Sequence, residues 1–218
     1  MTDLDLARQC ADAYESLGAL YGRDGCDNIR ASVVPGGLAF RGSSDPRDWL
    51  IDLIALPFIG SALAGLRQAT GQNWGKLGVV HEGFMMAAES IYPAVPKKPG
   101  LILTGHSLGG ALAVVVGALL AVDGYPPSLI VTFGAPRAGY SLRDALKGIP
   151  VRQYRAGVDP VPMLPWDPYQ HVSHLISLDV ETLNPLANHD IECYIGALAR
   201  ALRPALGQVH DHVTQTAF

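Results

Sequence analysis

A chain of 218 residues, 49% of them hydrophobic and 17% charged, has apolar material for one sizeable core and too little length for two ordinary enzyme domains. Its formal net charge of −4, with the Lys and Arg residues dispersed, supplies no positive field for a phosphate backbone and excludes nucleic acid as a partner. Three cysteines, Cys10, Cys26 and Cys193, are too few and too unevenly spaced for a disulfide framework or a zinc site and read as ordinary thiols.

The first twelve residues carry Asp3, Asp5, Arg8 and Asp12 among their apolar positions, so they offer neither a basic n-region nor an unbroken h-region of a secretory signal. The expectation is a soluble protein, cytoplasmic unless it is exported by another route. From Leu4 to Leu20 the apolar residues Leu4, Ala7, Ala11, Tyr14, Leu17 and Leu20 recur at steps of three or four, which predicts an amphipathic helix. Ile29 to Val34, the turn Pro35-Gly36-Gly37 and Leu38 to Arg41 predict a β-hairpin that ends at Gly42-Ser43. The apolar stretch Leu53 to Leu66 is broken by Pro57 and Gly60, and Ala111 to Val122 is too short to span a bilayer.

Leu101 to Thr104 reads as a short strand, Leu108 to Val122 as an apolar helix, Leu129 to Phe133 as a strand, Ser141 to Leu146 as a helix and Val151 to Arg155 as a strand. A run from His174 to Val180, an Asn- and Pro-containing loop, a helix from Ile191 to Leu202 and a polar tail complete the chain. No linker, charge run or fixed-period repeat divides it, so one domain over residues 1–218 is expected. Strands alternating with helices predict an α/β fold with a mostly parallel central sheet flanked by helices, and chemistry at the carboxyl ends of its strands.

At one such end Gly105-His106-Ser107-Leu108-Gly109 matches G-x-S-x-G, between a predicted strand and a predicted helix. That turn strains the serine backbone and brings the flanking residues so close that positions two before and two after must lack Cβ. Ser107 is therefore the candidate nucleophile. The Leu108 amide, at the start of the helix, is a candidate oxyanion donor. The bland alternative is a Gly-rich turn with a capping serine.

A serine hydroxyl becomes a useful nucleophile when a neutral imidazole takes its proton and a carboxylate orients that imidazole. In α/β-hydrolases the acid and then the histidine follow the serine along the chain. The acid belongs on a loop just past a later strand, which favours Asp159 over Asp123, which follows a helix, and Asp167, in a Pro-rich loop. Of the seven histidines, His81 and His106 precede Ser107, His171 and His174 flank a predicted strand, and His210 and His212 lie in the tail. His189 occupies a loop between the last strand and the last helix, which favours it. A solvated turn aspartate for Asp159 and a helix N-terminal residue beside Asn188 for His189 remain the plain alternatives. Phe40-Arg41-Gly42-Ser43 supplies small residues where a backbone can approach a ligand, so Ser43 is the candidate second oxyanion donor.

Taken together, these blocks resemble the class 3 lipases, the group that includes the fungal triacylglycerol lipases. The resemblance runs in order through Phe40-Arg41-Gly42-Ser43 with Asp48 to Leu53, Val80-His81-Glu82-Gly83-Phe84, and Thr104 to Ala111. It continues through Thr132 to Gly139, Tyr154-Arg155 with Asp159-Pro160-Val161-Pro162, and His189 followed by Tyr194. It implies an α/β-hydrolase fold, Ser107, Asp159 and His189 as the catalytic triad, and Ser43 and Leu108 as oxyanion donors. The chain departs from the fungal enzymes in being shorter and in lacking their signal and paired cysteines. It departs also in the compact, proline-containing segment from Ser44 to Trp49, where the family's lid lies.

The expected chemistry is hydrolysis of an acylglycerol or other lipid ester through an acyl-enzyme, with no metal or organic cofactor required. The imidazole base must be neutral, and imidazole side chains ordinarily titrate at about 6.5, so hydrolysis is expected to rise with pH through that region. The apolar residues from Trp49 to Leu66 either line an acyl groove, meet a lipid–water interface transiently, or pack in the core. A thioesterase, a phospholipase A1 or a feruloyl-type esterase would use the same triad with another pocket, whereas an inactive binding module would show a broken one.

Overall fold

The computed structural model describes residues 1–15, 20–23, 29–42 and 74–214. Its strands are β1 (Leu20–Tyr21), β2 (Arg30–Val34), β3 (Gly37–Phe40), β4 (Ile102–His106), β5 (Leu129–Phe133), β6 (Val151–Ala156) and β7 (Leu175–Leu178). They form a single sheet in chain order, antiparallel from β1 to β3 and parallel from β3 to β7. The α-helices among the described residues are α1 (Asp3–Glu15), α2 (Glu82–Ile91), α3 (Leu108–Val122), α4 (Leu142–Ala145), α5 (Pro185–His189) and α6 (Ile191–Thr214).

Parallel strands that step one way across a sheet through right-handed crossovers place their connecting helices on one face. The opposite face then needs other cover. Here Leu103 and Ile130 pack with α2 and α3 on the crossover side. Val131 and Phe133 point the other way and pack against Leu6, Ala7 and Cys10 of α1 and Tyr194, Ala197 and Leu198 of α6. The twofold alternation along β5 divides its side chains between two cores, and the terminal helices close the second.

Why α1 starts where it does is local: the Thr2 hydroxyl accepts from the Asp5 amide at 3.2 Å, and the Asp5 carboxylate accepts from the Thr2 amide at 2.8 Å. This reciprocal pair satisfies donors that the first turn leaves open. α3 is buried from Gly109 through Leu120, which accounts for its unbroken apolar sequence.

Several elements differ from the sequence expectation. The helix predicted from Leu4 to Leu20 is described over Asp3–Glu15, and Leu20 pairs with Ala31 in β1, where the sheet gives its backbone other partners; residues 16–19, Leu17 among them, lie outside the described residues. The hairpin turn is only Pro35-Gly36, because Gly37 already pairs with Val34. α2 was not foreseen; its buried residues Phe84, Met85, Ala87, Ala88 and Ile91 pack on the crossover face. α6 is helical to Thr214, where a polar tail was expected after Leu202, a helix nucleated by its docked first turns propagating along the chain.

Cys10 and Cys193 are free thiols, and Cys26 lies outside the described residues. No described helix is long and apolar enough to cross a membrane.

Candidate active site

Between the end of β4 at His106 and the start of α3 at Leu108 there is only Ser107. Its backbone, at φ 56° and ψ −128°, carries the one positive φ outside glycine among the described residues. A residue with Cβ holds such a conformation only where its surroundings dictate it. The Ser107 amide donates to the Phe133 carbonyl at 2.9 Å, which pins the turn to β5. A Cβ on Gly105 would lie 2.2 Å from the Gly109 oxygen, and one on Gly109 would lie 2.1 Å from the Phe40 oxygen. The elbow therefore admits only glycine at both positions. Leu108 opens α3, so its amide stands at the positive end of the helix dipole, ahead of the Gly110 and Ala111 amides that donate to the Ser107 carbonyl.

His189 Nε2 lies 3.0 Å from Ser107 Oγ, and its Nδ1 lies 2.9 Å from Asp159 Oδ2 and 3.1 Å from Oδ1. All three residues are buried. Asp159 sits on the loop beyond β6, where its Oδ1 accepts from the Val161 amide at 2.9 Å and its Oδ2 from the Tyr194 hydroxyl at 2.5 Å. Burial pushes the Tyr194 phenol well up, with the Asp159 charge adding to it, so the tyrosine is a donor. With the carboxyl group accepting, Nδ1 of His189 carries its proton and Nε2 is left bare to accept from the serine. The Asp159 carbonyl in turn accepts from Arg155 Nε at 2.8 Å.

His189 is the last residue of the five-residue helix α5 rather than a loop residue, and Asn188 beside it is fully buried. Asn188 Oδ1 accepts from the Val158 amide at 2.9 Å and its Nδ2 donates to the Thr182 carbonyl at 3.1 Å. This one side chain therefore ties the loop carrying Asp159 to the segment that leads into the helix carrying His189. Two more residues escaped the sequence reading. His106 Nε2 lies 2.7 Å from the His189 carbonyl, and the Tyr14 hydroxyl of α1 lies 2.8 Å from His106 Nδ1.

The other candidates go elsewhere. Asp123 accepts from the Tyr92 hydroxyl at 2.7 Å, just past the far end of the 15-residue α3, about 22 Å along the helix from its start. Asp167 and His174 are exposed. His171 is held between the Pro162 carbonyl, to which its Nε2 donates at 2.6 Å, and the Gln153 amide at 3.1 Å. His81 packs on Phe84, ring centroids 4.5 Å apart. His210 and His212 fall on the part of α6 whose side chains are outside the description. Ser43 and the Trp49 to Leu66 stretch lie outside the described residues. Among the described residues no three His, Cys, Asp or Glu are grouped to hold a metal ion.

A sequence profile described as lipase (class 3) matches residues 37–168. The chain is 33% identical over 147 residues to the secreted mono- and diacylglycerol lipase 1 of Fusarium solani, covering 64% of this chain and 41% of that protein. It is 30% identical over 117 residues to phospholipase A1-II 1 of Oryza sativa subsp. japonica, covering 47% of this chain and 30% of that protein. It thus spans less than half the length of either relative. Among solved structures, the Lip2 lipase from Yarrowia lipolytica superposes with a TM-score of 0.55 at 20% identity, over 84% of this chain and 82% of that one. A lipase from Rhizopus microsporus var. chinensis gives 0.54 at 21% identity, over 82% and 73%. At such identities the superpositions establish a shared α/β-hydrolase fold.

Proposed function

Because the chain belongs to the class 3 lipase family, we propose that it hydrolyses lipid carboxylic esters through an acyl-enzyme on Ser107. The observation that carries the reading is the line of contacts from Ser107 Oγ to His189 Nε2, 3.0 Å, and from His189 Nδ1 to Asp159 Oδ2, 2.9 Å.

In the first half-reaction Ser107 Oγ bonds to the ester carbonyl carbon as its proton passes to His189 Nε2. The resulting imidazolium is held by Asp159. The oxyanion is stabilised by the Leu108 amide and by a second donor from Ser43. Collapse breaks the bond to the alkoxy oxygen, which leaves as the alcohol with the proton from Nε2. In the second half-reaction water adds to the acyl carbon with its proton going to His189, and the acid departs as Ser107 regains its hydrogen.

Acylglycerols are the favoured substrates, in line with the mono- and diacylglycerol lipase relative. A phospholipase A1 reading has support of its own from the rice relative. Large apolar side chains stand exposed near both the acid and the base in the chain, Val158, Met163 and Trp166 around Asp159 and Leu183 and Leu186 ahead of His189. Such a rim suits acyl chains or a lipid surface. The test is release of fatty acid from diolein and monoolein emulsions and from phosphatidylcholine vesicles. The reading expects turnover of the acylglycerols that Ser107→Ala abolishes without unfolding the protein. Turnover that persists in Ser107→Ala overturns it.

A further inference from the structure

His189 ends a helix of five residues, and the next residue, Asp190, leaves the helical conformation at φ −68° and ψ 135°. A carbonyl at such an end has no amide a turn ahead to accept from and needs another donor. His106 supplies it: its Nε2 lies 2.7 Å from the His189 carbonyl oxygen. A carbonyl only accepts, so Nε2 carries the hydrogen. Full burial, reinforced by the neighbouring His189, drives the His106 imidazole down to about 3, so it is neutral and Nδ1 is a bare acceptor. The Tyr14 hydroxyl, 2.8 Å away, donates to it. Burial raises the Tyr14 phenol, which keeps that proton in place.

The consequence for geometry comes from chain order. His106 is bonded covalently to Ser107, and the 2.7 Å bond from its ring joins it to the residue that carries the base. The 3.0 Å contact between Ser107 Oγ and His189 Nε2 therefore closes a small ring: two adjacent residues of the elbow, one side-chain bond, and His189. The two imidazoles sit with centroids 4.9 Å apart at 35°. Shifting the His189 backbone away from the elbow would break the bond to His106 and strain the side-chain contacts to Ser107 and Asp159.

We propose that His106, oriented by Tyr14 of α1, is a positioning residue that fixes His189 against Ser107 by holding its backbone carbonyl. Tyr14 lies outside the residues 37–168 matched by the family profile, so this contribution comes from the N-terminal helix. Its bond reinforces the tautomer that the carbonyl sets and orients the ring: without the phenol hydroxyl Nδ1 loses its donor and the ring is held by the carbonyl alone. The proposal rests on Ser107 and His189 acting as nucleophile and base.

The test is p-nitrophenyl butyrate hydrolysis by wild type, Ser107→Ala, His106→Leu, His106→Gln and Tyr14→Phe, with kcat and KM resolved and folding checked by circular dichroism. Because small misplacements of a catalytic group cost rate rather than binding, His106→Leu is expected to lose about 10- to 100-fold in kcat with KM within about twofold. His106→Gln keeps an N–H donor and is expected to recover kcat to within about fivefold of wild type. Tyr14→Phe is expected to fall between them. In the 15N-labelled imidazole spectrum it is expected to keep the hydrogen on Nε2 as in wild type and to show the bare Nδ1 resonance moved by the loss of its hydrogen-bond donor. Wild-type kcat in both His106→Leu and Tyr14→Phe overturns the proposal, and so does a His106→Gln no better than His106→Leu. Absence of turnover in wild type that Ser107→Ala would remove is the distinct result that overturns the functional reading instead.

Discussion

Gly134 lies at the end of β5 with φ +60°, and its amide donates to the Tyr154 carbonyl at 3.0 Å. A Cβ there would stand 2.9 Å from Asp159 Oδ2, 3.0 Å from the Tyr194 hydroxyl and 3.2 Å from His189 Nδ1. Ordinary contacts to carbon need about 3.5 Å or more, so in Gly134→Ala three groups must each retreat by a few tenths of an ångström, two of them the proposed acid and base. A misplacement of 1 Å costs about 100-fold in rate, so kcat should fall about 10- to 100-fold. The left-handed backbone should cost a further 1–2 kcal/mol of stability, about 2–8 °C in Tm for a domain of this size. Gly148→Ala is the control: its φ is +83°, and an added Cβ would meet nothing within 4 Å. It should lose the same stability and keep its kcat. Thermal melts and initial rates on p-nitrophenyl butyrate measure both. Wild-type kcat in Gly134→Ala, or an equal loss in Gly148→Ala, refutes the reasoning.

Acid stability should report the buried His106. Its imidazole is held down to about 3 from 6.5, so below pH 6.5 the unfolded chain takes up a proton that the native fold refuses, and stability falls as pH drops from about 6.5 toward 3. At pH 5 this amounts to about 2 kcal/mol. Urea unfolding of His106→Gln should therefore lose about 2 kcal/mol less than wild type between pH 7 and pH 5, and equal losses would contradict the cause assigned. Cys10, buried and with its thiol pushed up to about 12, should resist iodoacetamide at pH 8 in the native protein while the partly exposed Cys193 is labelled. Peptide mapping decides, and early modification of Cys10 would count against its burial.

What the sequence made legible was what local sterics impose. The elbow needs glycine at 105 and 109 for reasons confined to one turn, and those needs appear as letters within one five-residue motif. Asp159 was reachable because the end of a strand is recognisable from composition, and His189 because chain order removed His81 and His106 while the predicted strand and tail set aside the other four histidines. The bonds around them were out of reach for the opposite reason. Tyr14 and His106 are 92 positions apart, and nothing local in α1 marks one tyrosine as facing an imidazole. Asn188 reads as a plain capping residue until the fold brings Val158 to its side chain. Element ends failed where tertiary pairing competes with periodicity, as at Leu20, whose helical spacing yields to pairing with Ala31.

The central claim is that Ser107 is the nucleophile activated by His189. Stoichiometric reaction with a p-nitrophenyl alkylphosphonate, followed by peptide mass mapping, tests it most directly. The account predicts one phosphonyl group per chain, on Ser107, formed rapidly in wild type and at least about 100-fold more slowly in His189→Ala. A phosphonyl group on another residue, or undiminished labelling of Ser107 in His189→Ala, would contradict it.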